Sequence, residues 1–569
     1  MQRNLEELSN TKFDVLVIGG GIYGACVAYE AILRGLSVAL VEKQDFCGAT
    51  SANSLKTIHG GLRYLQHADF KRMRESIYER RTLMKIAPHL VHPLPVLVPT
   101  YGHGLKGIEA MTVALKINDW VSCDRNHGLP DPQQHIPAGR TISATECLQT
   151  MPGISADGLT GGAIFHDAQV FNSERLVLAY LQSATQLGLQ AANYLKVTDF
   201  LQDGDTILGA QVTDALTQNT FDIQAKTIIN TSGPWINEVL GLLDQPPSSH
   251  QPFALAMNLV TRSLFDHDYA VGIYSKTDYT DEDAILKRKN RLLFIAPWQG
   301  CSLVGTTYSH YSDTPDHLSI PQHEIQHFLD DINHAYPLAN LTAQDVYWVH
   351  QGLLPSSHSP ATTHVQLTKH YHIQNYQEEG LNGLISVTGV KYTTARNVAI
   401  HAVDTAAAML KRPVLPSQSA QQPLHGGAID NLDDFLDQGH NQLSRIPDHP
   451  SVQNFLYNYG TAYSSVLKQV QHGQRATPRL DLLQAQVTYA IEEEMAQTLS
   501  DVIFRRTGIG AAQKPTTAEL QTCADIMSNT LLWNQSRVEQ EISEVTSRWS
   551  WSTPKPPSVG EKTATIQGR

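Results

Sequence analysis

An apolar strand running straight into three glycines restricts this chain more than any other feature. Residues 14–43 read DVLVIGGGIYGACVAYEAILRGLSVALVEK. Val15 to Ile18 form the strand, Gly19-x-Gly21-x-x-Gly24 follows, a helix opens, and a second strand, Val38 to Val41, ends on Glu42. Each glycine has its own physical task. Gly19 permits the tight turn, Gly21 lets backbone approach a pyrophosphate with no Cβ in the way, and Gly24 allows the helix to pack closely on the strand. A diphosphate at the helix N-terminus meets unpaired N–H groups and the positive end of the helix dipole. Glu42 stands where it can accept hydrogen bonds from a ribose diol. The pattern predicts a βαβ dinucleotide site and leaves nicotinamide and flavin dinucleotides equally open.

Composition narrows the class. A chain of 569 residues is long enough for more than one domain. Its 41% hydrophobic and 17% charged residues describe an ordinary globular protein and not a disordered one. The net charge of −13, with no long basic block to offset it, argues against a nucleic-acid-binding surface. Six cysteines (Cys26, Cys47, Cys123, Cys147, Cys301 and Cys523) show no CxxC spacing, which fits reduced thiols in a cytoplasmic compartment. The polar start MQRNLEELSNTKFD leads directly into the first strand, so no signal peptide is expected. No apolar run approaches the ~18 residues of a membrane span. Membrane contact, if made, is therefore expected to be peripheral, on the inner face. Most histidines stand alone in polar loops, and no HExxH-like spacing points to a metal.

Along the chain, CGATSANSLKTIHGGLRYLQ (47–66) is rich in hydroxyls and glycine and reads as loop. Residues 68–87 read as a helix whose run KRMRESIYERR is a solvated face, not a binding patch. A second helix is expected over 173–187, capped by Asn172 or Ser173. Strands are expected near 206–213, 225–230, 291–298 and 302–307, and NTSGPW (230–235) breaks at Gly233-Pro234 and restarts as helix. Residues 321–335 read as a helix, and VYWVHQGLLP (346–355) as a strand ending in a turn. Residues 383–410 give strand, glycine turn and long helix. KRPVLPSQSAQQP (411–423) has linker composition. These signals divide the chain into an oxidoreductase region (1–415), a helical domain (424–550) and a disordered tail (551–569).

Three features favour FAD over nicotinamide. A hydroxyl-rich loop with Thr50, Ser51 and Ser54 directly follows the second strand and suits the phosphates and ribityl chain of an extended flavin. NTSGPW, with Gly233, is a strand end able to return to the cofactor after a large insertion. A strand–Gly389–helix unit carrying Lys391 and Thr393 places a helix N-terminus where it could face the flavin pyrimidine, which gains negative charge on reduction.

At these residues the sequence resembles a known family. CGATSANSLKTIHGGLRYLQ, NTSGPW, LFIAPW with VGTT, and GVKYTTAR resemble the FAD-dependent glycerol-3-phosphate dehydrogenases, within the D-amino-acid-oxidase-like flavoproteins. The HGGLRYL stretch is the most specific, because it separates this family from amino-acid and sarcosine oxidases. HGGAID (425–430) and FRRTGIG (504–510) resemble the start and core of the family's C-terminal domain. The resemblance implies an α/β Rossmann-like FAD-binding domain with an inserted β-rich substrate domain, plus a C-terminal all-α domain. It also implies noncovalent FAD and oxidation of a secondary alcohol to a ketone, with electrons passed to quinone or another acceptor.

The implied chemistry needs a group to take a hydroxyl proton and cations to hold an anionic substrate. In the family's pattern the segment matched by His59, Arg63 and Tyr64 lies along flavin and substrate. His59 is the candidate base or hydroxyl orienter. Thr307 matches a family hydroxyl near the substrate, and Lys391 is placed to pair with substrate phosphate or reduced flavin. The chain also departs from the pattern. Where the family reads serine-glycine-valine-arginine-proline, this chain reads Gln351-Gly352-Leu353-Leu354-Pro355, and Leu354 cannot neutralise a phosphate. Lys369 matches a second family arginine but lacks the planar fork, and Gly389-Val390 replaces paired glycines. Losing one charged hydrogen bond weakens binding by roughly 1.5–3 kcal/mol, unless a nearby cation (Arg262, Lys287, Arg288 or Lys369) substitutes. The expected activity is oxidation of sn-glycerol 3-phosphate to dihydroxyacetone phosphate. Another small anionic alcohol, hydroxy acid or amino acid is the alternative substrate, and a non-catalytic flavoprotein the alternative class. The helical C-terminal domain is expected to serve in homodimerisation, partner docking or shielding the site.

Overall fold

The computed structural model describes residues 1–104, 107–247, 250–278, 290–357, 365–446, 448–469 and 477–549. The first half of the chain contributes β1 (Lys12–Ile18), α1 (Ile22–Leu33), β2 (Val38–Val41), β3 (Thr57–Ile58), α2 (Phe70–Ile86), β4 (Val91–Tyr101), α3 (Ile108–Val121), β5 (Leu159–Val170) and α4 (Ser173–Gln186). Then come β6 (Gln190–Ala192), β7 (Leu195–Asp203), β8 (Thr206–Asp214), β9 (Thr220–Asn230), β10 (Phe253–Arg262), β11 (Ala270–Asp278), β12 (Asn290–Trp298) and β13 (Cys301–His310). The remainder of the oxidoreductase region holds α5 (Gln322–Ala335), β14 (Val346–Ser357), β15 (His372–Asn375), β16 (Leu384–Thr388) and α6 (Ala395–Met409).

The first sheet runs in the order β15-β16-β9-β1-β2-β6. Strands β16, β9, β1, β2 and β6 are mutually parallel. Because successive side chains of a strand point to opposite faces, β1 feeds two cores. Val15 and Val17 pack with residues of α1, α4 and α6 on one face. Leu16 and Ile18 pack on the other with the antiparallel ribbon β7-β8-β9. Both faces of this strand are therefore dry.

The second sheet runs β14-β10-β13-β12-β11-β4-β5-β3, with two short strands, Gln366–Leu367 and Arg140–Ile142, at its margins. Its strands come from two separated stretches of chain, and α5 covers one face through Ile325, Phe328, Leu329 and Ile332. This β-rich unit is an insertion into the parallel domain. It brings β14 to the loop after β2, where Leu353 bonds to Thr50, and β5 to the HGG turn, where Asp167 meets Gly60.

Most elements fall where the patterns place them, with Asn172 capping α4 by accepting from the N–H groups of Glu174 and Arg175. Three readings need correction. Residues 47–66 are not loop throughout, because β3 and a 3₁₀ helix at Leu62–His67 interrupt them. The KRMRESIYERR run is not a solvated face, because Met73, Ser76, Ile77, Glu79 and Arg80 are all buried. Strand β14 does not turn at Pro355 but continues to Ser357, in register with β10. Its outer neighbour spans only two residues, so a proline there costs little ladder bonding.

Beyond α6 the described chain is helical: α7 (Leu432–Gln442), α8 (His449–Tyr459), α9 (Pro478–Glu494), a π-helical turn at Asp501–Arg506, α10 (Thr517–Leu531) and α11 (Gln535–Ser547). The stretch of linker composition is docked on the parallel domain: Ser417 and Ser419 both donate to Glu30, at 3.0 and 2.6 Å. The tail expected over 551–569 lies outside the described residues. Among the described residues no helix is long and apolar enough to cross a membrane, and no group of His, Cys, Asp and Glu is arranged to hold a metal ion.

Candidate active site

In the glycine turn, Gly19 and Gly24 leave no room for a side chain. Gly19 has φ +105°, and a Cβ there would come within 2.7 Å of the Thr231 carbonyl oxygen. A Cβ on Gly24 would run into the Gly19 carbonyl. Thr231, at the end of β9, returns to this turn: its N–H and hydroxyl both donate to the Ile18 carbonyl at 2.8 Å. Gly21 opens α1 with no side-chain cap of its own, and the Ile22 N–H instead donates to Ser51 Oγ at 3.0 Å. Glu42 accepts from the N–H groups of Gly20 (2.7 Å) and Gln44 (2.9 Å). Burial raises its pKa all the same, with the charge of Asp45 adding to the effect.

These residues face a cavity of about 430 Å³. Gly19, Gly21, Glu42, Thr50, Ser51, Ser54, Gly233, Gly389 and Lys391 all line it. A cradle that any Cβ would fill, a helix N-terminus and a buried acid with room for a diol suit the ADP half of a flavin dinucleotide. Within that set the hydroxyls have different partners. Thr50 Oγ1 is bonded to both the carbonyl (3.1 Å) and the N–H (3.2 Å) of Leu353, which locks the loop to β14. Ser54 Oγ accepts the Lys56 N–H at 3.1 Å. Gly24 and Thr393 lie outside the lining, packing the turn and joining the next segment respectively.

At the other end of the cavity, β16 stops at Thr388 and Gly389 lies against the ring of Tyr23, where a Cβ would collide with it. Tyr23 donates to the Lys391 carbonyl at 2.6 Å and accepts the Lys391 N–H at 3.2 Å. The Lys391 ammonium stands 4.1 Å from the Tyr64 ring centroid, and the Arg72 guanidinium 4.6 Å from the same centroid. Burial, followed by the charge of Arg72, brings the Lys391 pKa down to about 8, with Arg63 adding to the effect. Burial also raises the Tyr64 hydroxyl above its ordinary value.

Thr393 ties this end to the HGG turn, its Oγ1 accepting the His59 N–H at 3.1 Å. His59 Nδ1 lies 3.2 Å from Asp167 Oδ2 on β5, and the Gly60 N–H donates to Asp167 Oδ1 at 2.6 Å. Arg80, from α2, stands 3.6 Å from the same carboxylate and donates to the His166 carbonyl at 2.5 Å. Burial works to raise the pKa of Asp167, but the hydrogen bond and charge of His59, with Arg80 and the Gly60 N–H, outweigh it and hold the group below the usual carboxylate value.

His59, Tyr64, Lys391 and Thr393 are thus brought together, with Arg63 exposed on the same 3₁₀ turn as Tyr64. Thr307 sits apart from the cavity lining on β13, accepting from Arg291 Nη1 at 3.3 Å. Lys369 precedes β15 and is not part of the lining either. Of the cations named as substitutes for the missing arginine, Arg262 is committed to Asp345 (2.9 Å) and to the Ala339 carbonyl (2.5 Å). Lys287 and Arg288 lie outside the described residues. Leu354 itself lines the cavity.

Sequence reasoning missed Asp167, Arg80, Arg72 and Asp45. The inner face of α2 was readable as a stripe, Met73-Ile77-Arg80-Met84, at helical spacing, but its flanking charges concealed it. Asp45, three residues after the cavity-lining Glu42, is clamped by the C-terminal region. Arg506 makes two 2.7 Å bonds to it, and Arg505 Nε one of 2.5 Å. Phe46 then packs under Gly20, and the Cys47 N–H donates to the Gly20 carbonyl at 3.0 Å.

Residues 14–396 match the family model described as FAD dependent oxidoreductase, which makes the chain a flavin-dependent oxidoreductase with FAD as its cofactor. Residues 417–538 match the C-terminal domain of alpha-glycerophosphate oxidase. The chain is 31% identical over 552 residues to the glycerol-3-phosphate dehydrogenase of Synechocystis sp., covering 95% of this chain and 97% of that protein. It is 28% identical over 518 residues to the aerobic glycerol-3-phosphate dehydrogenase of Bacillus subtilis, covering 89% of each. The solved glycerol-3-phosphate dehydrogenase of Bacillus halodurans, complexed with FAD, superposes with a TM-score of 0.75 at 25% identity over 96% of both chains. The chain belongs to the FAD-dependent glycerol-3-phosphate dehydrogenase family.

Proposed function

We propose that this protein oxidises sn-glycerol 3-phosphate to dihydroxyacetone phosphate. The observation that carries the reading is the meeting of His59, Tyr64 and Lys391 beside the dinucleotide cavity, held there by Thr393 and Asp167. Bound FAD supplies the acceptor for the hydride that leaves the substrate's secondary carbon. His59, with Nδ1 turned to Asp167, presents Nε2 to take the hydroxyl proton. Lys391 supplies positive charge at the same end of the cavity. Glu42, Ser51 and the α1 N-terminus hold the ADP half, while Thr50 fixes the loop between the two sheets.

Electrons leave to quinone or another acceptor, and residues 1–415 form the oxidoreductase unit with 424–550 as its helical partner. Peripheral contact with the inner face of the membrane is supported by α3, which exposes Val113, Ile117 and Trp120 on one helical face. A singly charged, carboxylate-bearing alcohol is the second reading, because Leu354 in the cavity wall leaves one cation fewer than a doubly charged phosphate calls for. Dye-linked steady-state assays separate the two. Glycerol 3-phosphate should be used far better than glycerol or lactate, and equal or better use of lactate would refute the proposed substrate.

A further inference from the structure

An anionic substrate needs a cation where this chain carries Leu354. Three cations are committed elsewhere. Arg262 is bound to Asp345, Lys43 to Asp316 and the Trp235 ring at the Glu42 end of the cavity, and Lys56 to Glu174 in the interior. Arg72 is different. It leaves α2 one turn after the HGGLRYL segment, its side chain is 12% exposed, and its guanidinium lies over Tyr64, the ring that also carries Lys391. Its Nε is buried with no hydrogen-bond partner. Its nearest carboxylate, Asp69, is 3.5 Å from Nη1, and the other oxygen of Asp69 already caps the helix by accepting the Arg72 N–H at 3.0 Å. Glu75, the next acid on α2, accepts from Asn397 at 3.0 Å.

A guanidinium with an unused buried donor, and with its one carboxylate partner only at 3.5 Å, stands near a lysine that lines the cofactor cavity and has bonding capacity left for an anion. Burial does most to bring the Lys391 pKa down to about 8, Arg72 and Arg63 lower it further, and Glu75 and Asp69 act in the opposite direction. We infer that Arg72, together with Lys391 across the Tyr64 ring, binds the substrate's phosphate in this chain and takes over the role left vacant by Leu354. Arg72 is then a specificity determinant: it selects phosphorylated over neutral alcohols without touching the reacting carbon. The inference rests on the proposed function for the identity of the substrate, but not for the affinity of the site for phosphate.

The test uses the FAD-loaded enzyme and its Arg72→Leu variant, with flavin content checked by absorbance. Calorimetry measures binding of inorganic phosphate, and kinetics measure kcat and KM for glycerol 3-phosphate and glycerol. Arg72→Leu should weaken phosphate binding and raise KM for glycerol 3-phosphate by about ten- to a hundredfold. KM for glycerol should stay unchanged, and kcat should fall far less than KM rises. Adding Leu354→Arg to Arg72→Leu should recover phosphate binding. If Arg72→Leu does not fold, Arg72→Lys serves, with a smaller loss in the same direction. Phosphate binding within about twofold of the parent, or an equal loss for glycerol, overturns the inference. Should the parent enzyme bind phosphate through Arg72 but fail to oxidise glycerol 3-phosphate, the substrate reading falls and the Arg72 assignment stands.

Discussion

Asp167 accepts the Gly60 N–H and stands against the His59 ring while Arg80 lies 3.6 Å away, so one buried carboxylate fixes both the turn and the imidazole. Asp167→Asn should leave flavin bound and lower kcat by roughly ten- to a hundredfold, since an amide cannot hold His59 in the same tautomer. Stopped-flow reduction of the flavin would read that step directly. Lys391 gives a pH signature. With a pKa of about 8 in place of the ordinary lysine value, it is charged below pH 8 and loses its proton above it. KM for a phosphorylated substrate should therefore rise above pH 8, about tenfold per unit at the limit. Lys391→Arg, which keeps its charge, should remove that limb; a profile flat through pH 9 in the parent would contradict the assignment. His59, Tyr64 and Lys391 were legible because each sits in a local motif. Asp167, Arg80 and Arg72 were not, because what makes them functional is a partner from another element, 8 to 108 positions away in the chain.

The π-helical turn at Asp501–Arg506 is the element that joins the C-terminal region to the cofactor cradle. Its two arginines meet Asp45, and Arg506 also donates to the Glu494 carbonyl at 2.8 Å. Glu494 is in turn held by Arg175 of α4 at 2.7 Å. Removing one member leaves buried charge without a partner, so Arg506→Met should destabilise the fold by roughly 3–5 kcal/mol. It should also release FAD at a lower temperature than Leu520→Ala, which damages only the helical core. Flavin fluorescence followed beside tryptophan fluorescence on heating separates the two losses. Identical flavin affinity in both variants would mean the clamp does not govern the cradle. At this scale β1, α1 and β2 were readable from alternation and glycine spacing. The FRRTGIG motif was recognised but its partner was not, since nothing local links residue 506 to residue 45. Strand β14 was cut short for a similar reason: Pro355 signals a turn locally, whereas pairing with β10 decides the outcome.

The whole molecule is a parallel nucleotide domain, a second sheet inserted in two pieces, and a helical region locked onto the cradle by buried ion pairs. Two-piece insertion is invisible to periodicity, because β4 and β11 pair in the sheet although they are far apart in the chain. The exposed face of α3 belongs to the same scale. Trp120→Glu should reduce sedimentation with anionic lipid vesicles while leaving dye-linked turnover intact, and unchanged sedimentation would remove the membrane contact from the account. On this reading the scaffold joins FAD to the oxidation of a phosphorylated alcohol. Anaerobic addition of substrates to the FAD-loaded protein tests it most directly, by loss of the flavin absorbance. Glycerol 3-phosphate should bleach the flavin within the time of mixing and at low concentration, with glycerol and lactate ineffective there. A flavin that lactate bleaches as readily, or that no small alcohol bleaches at all, would contradict it.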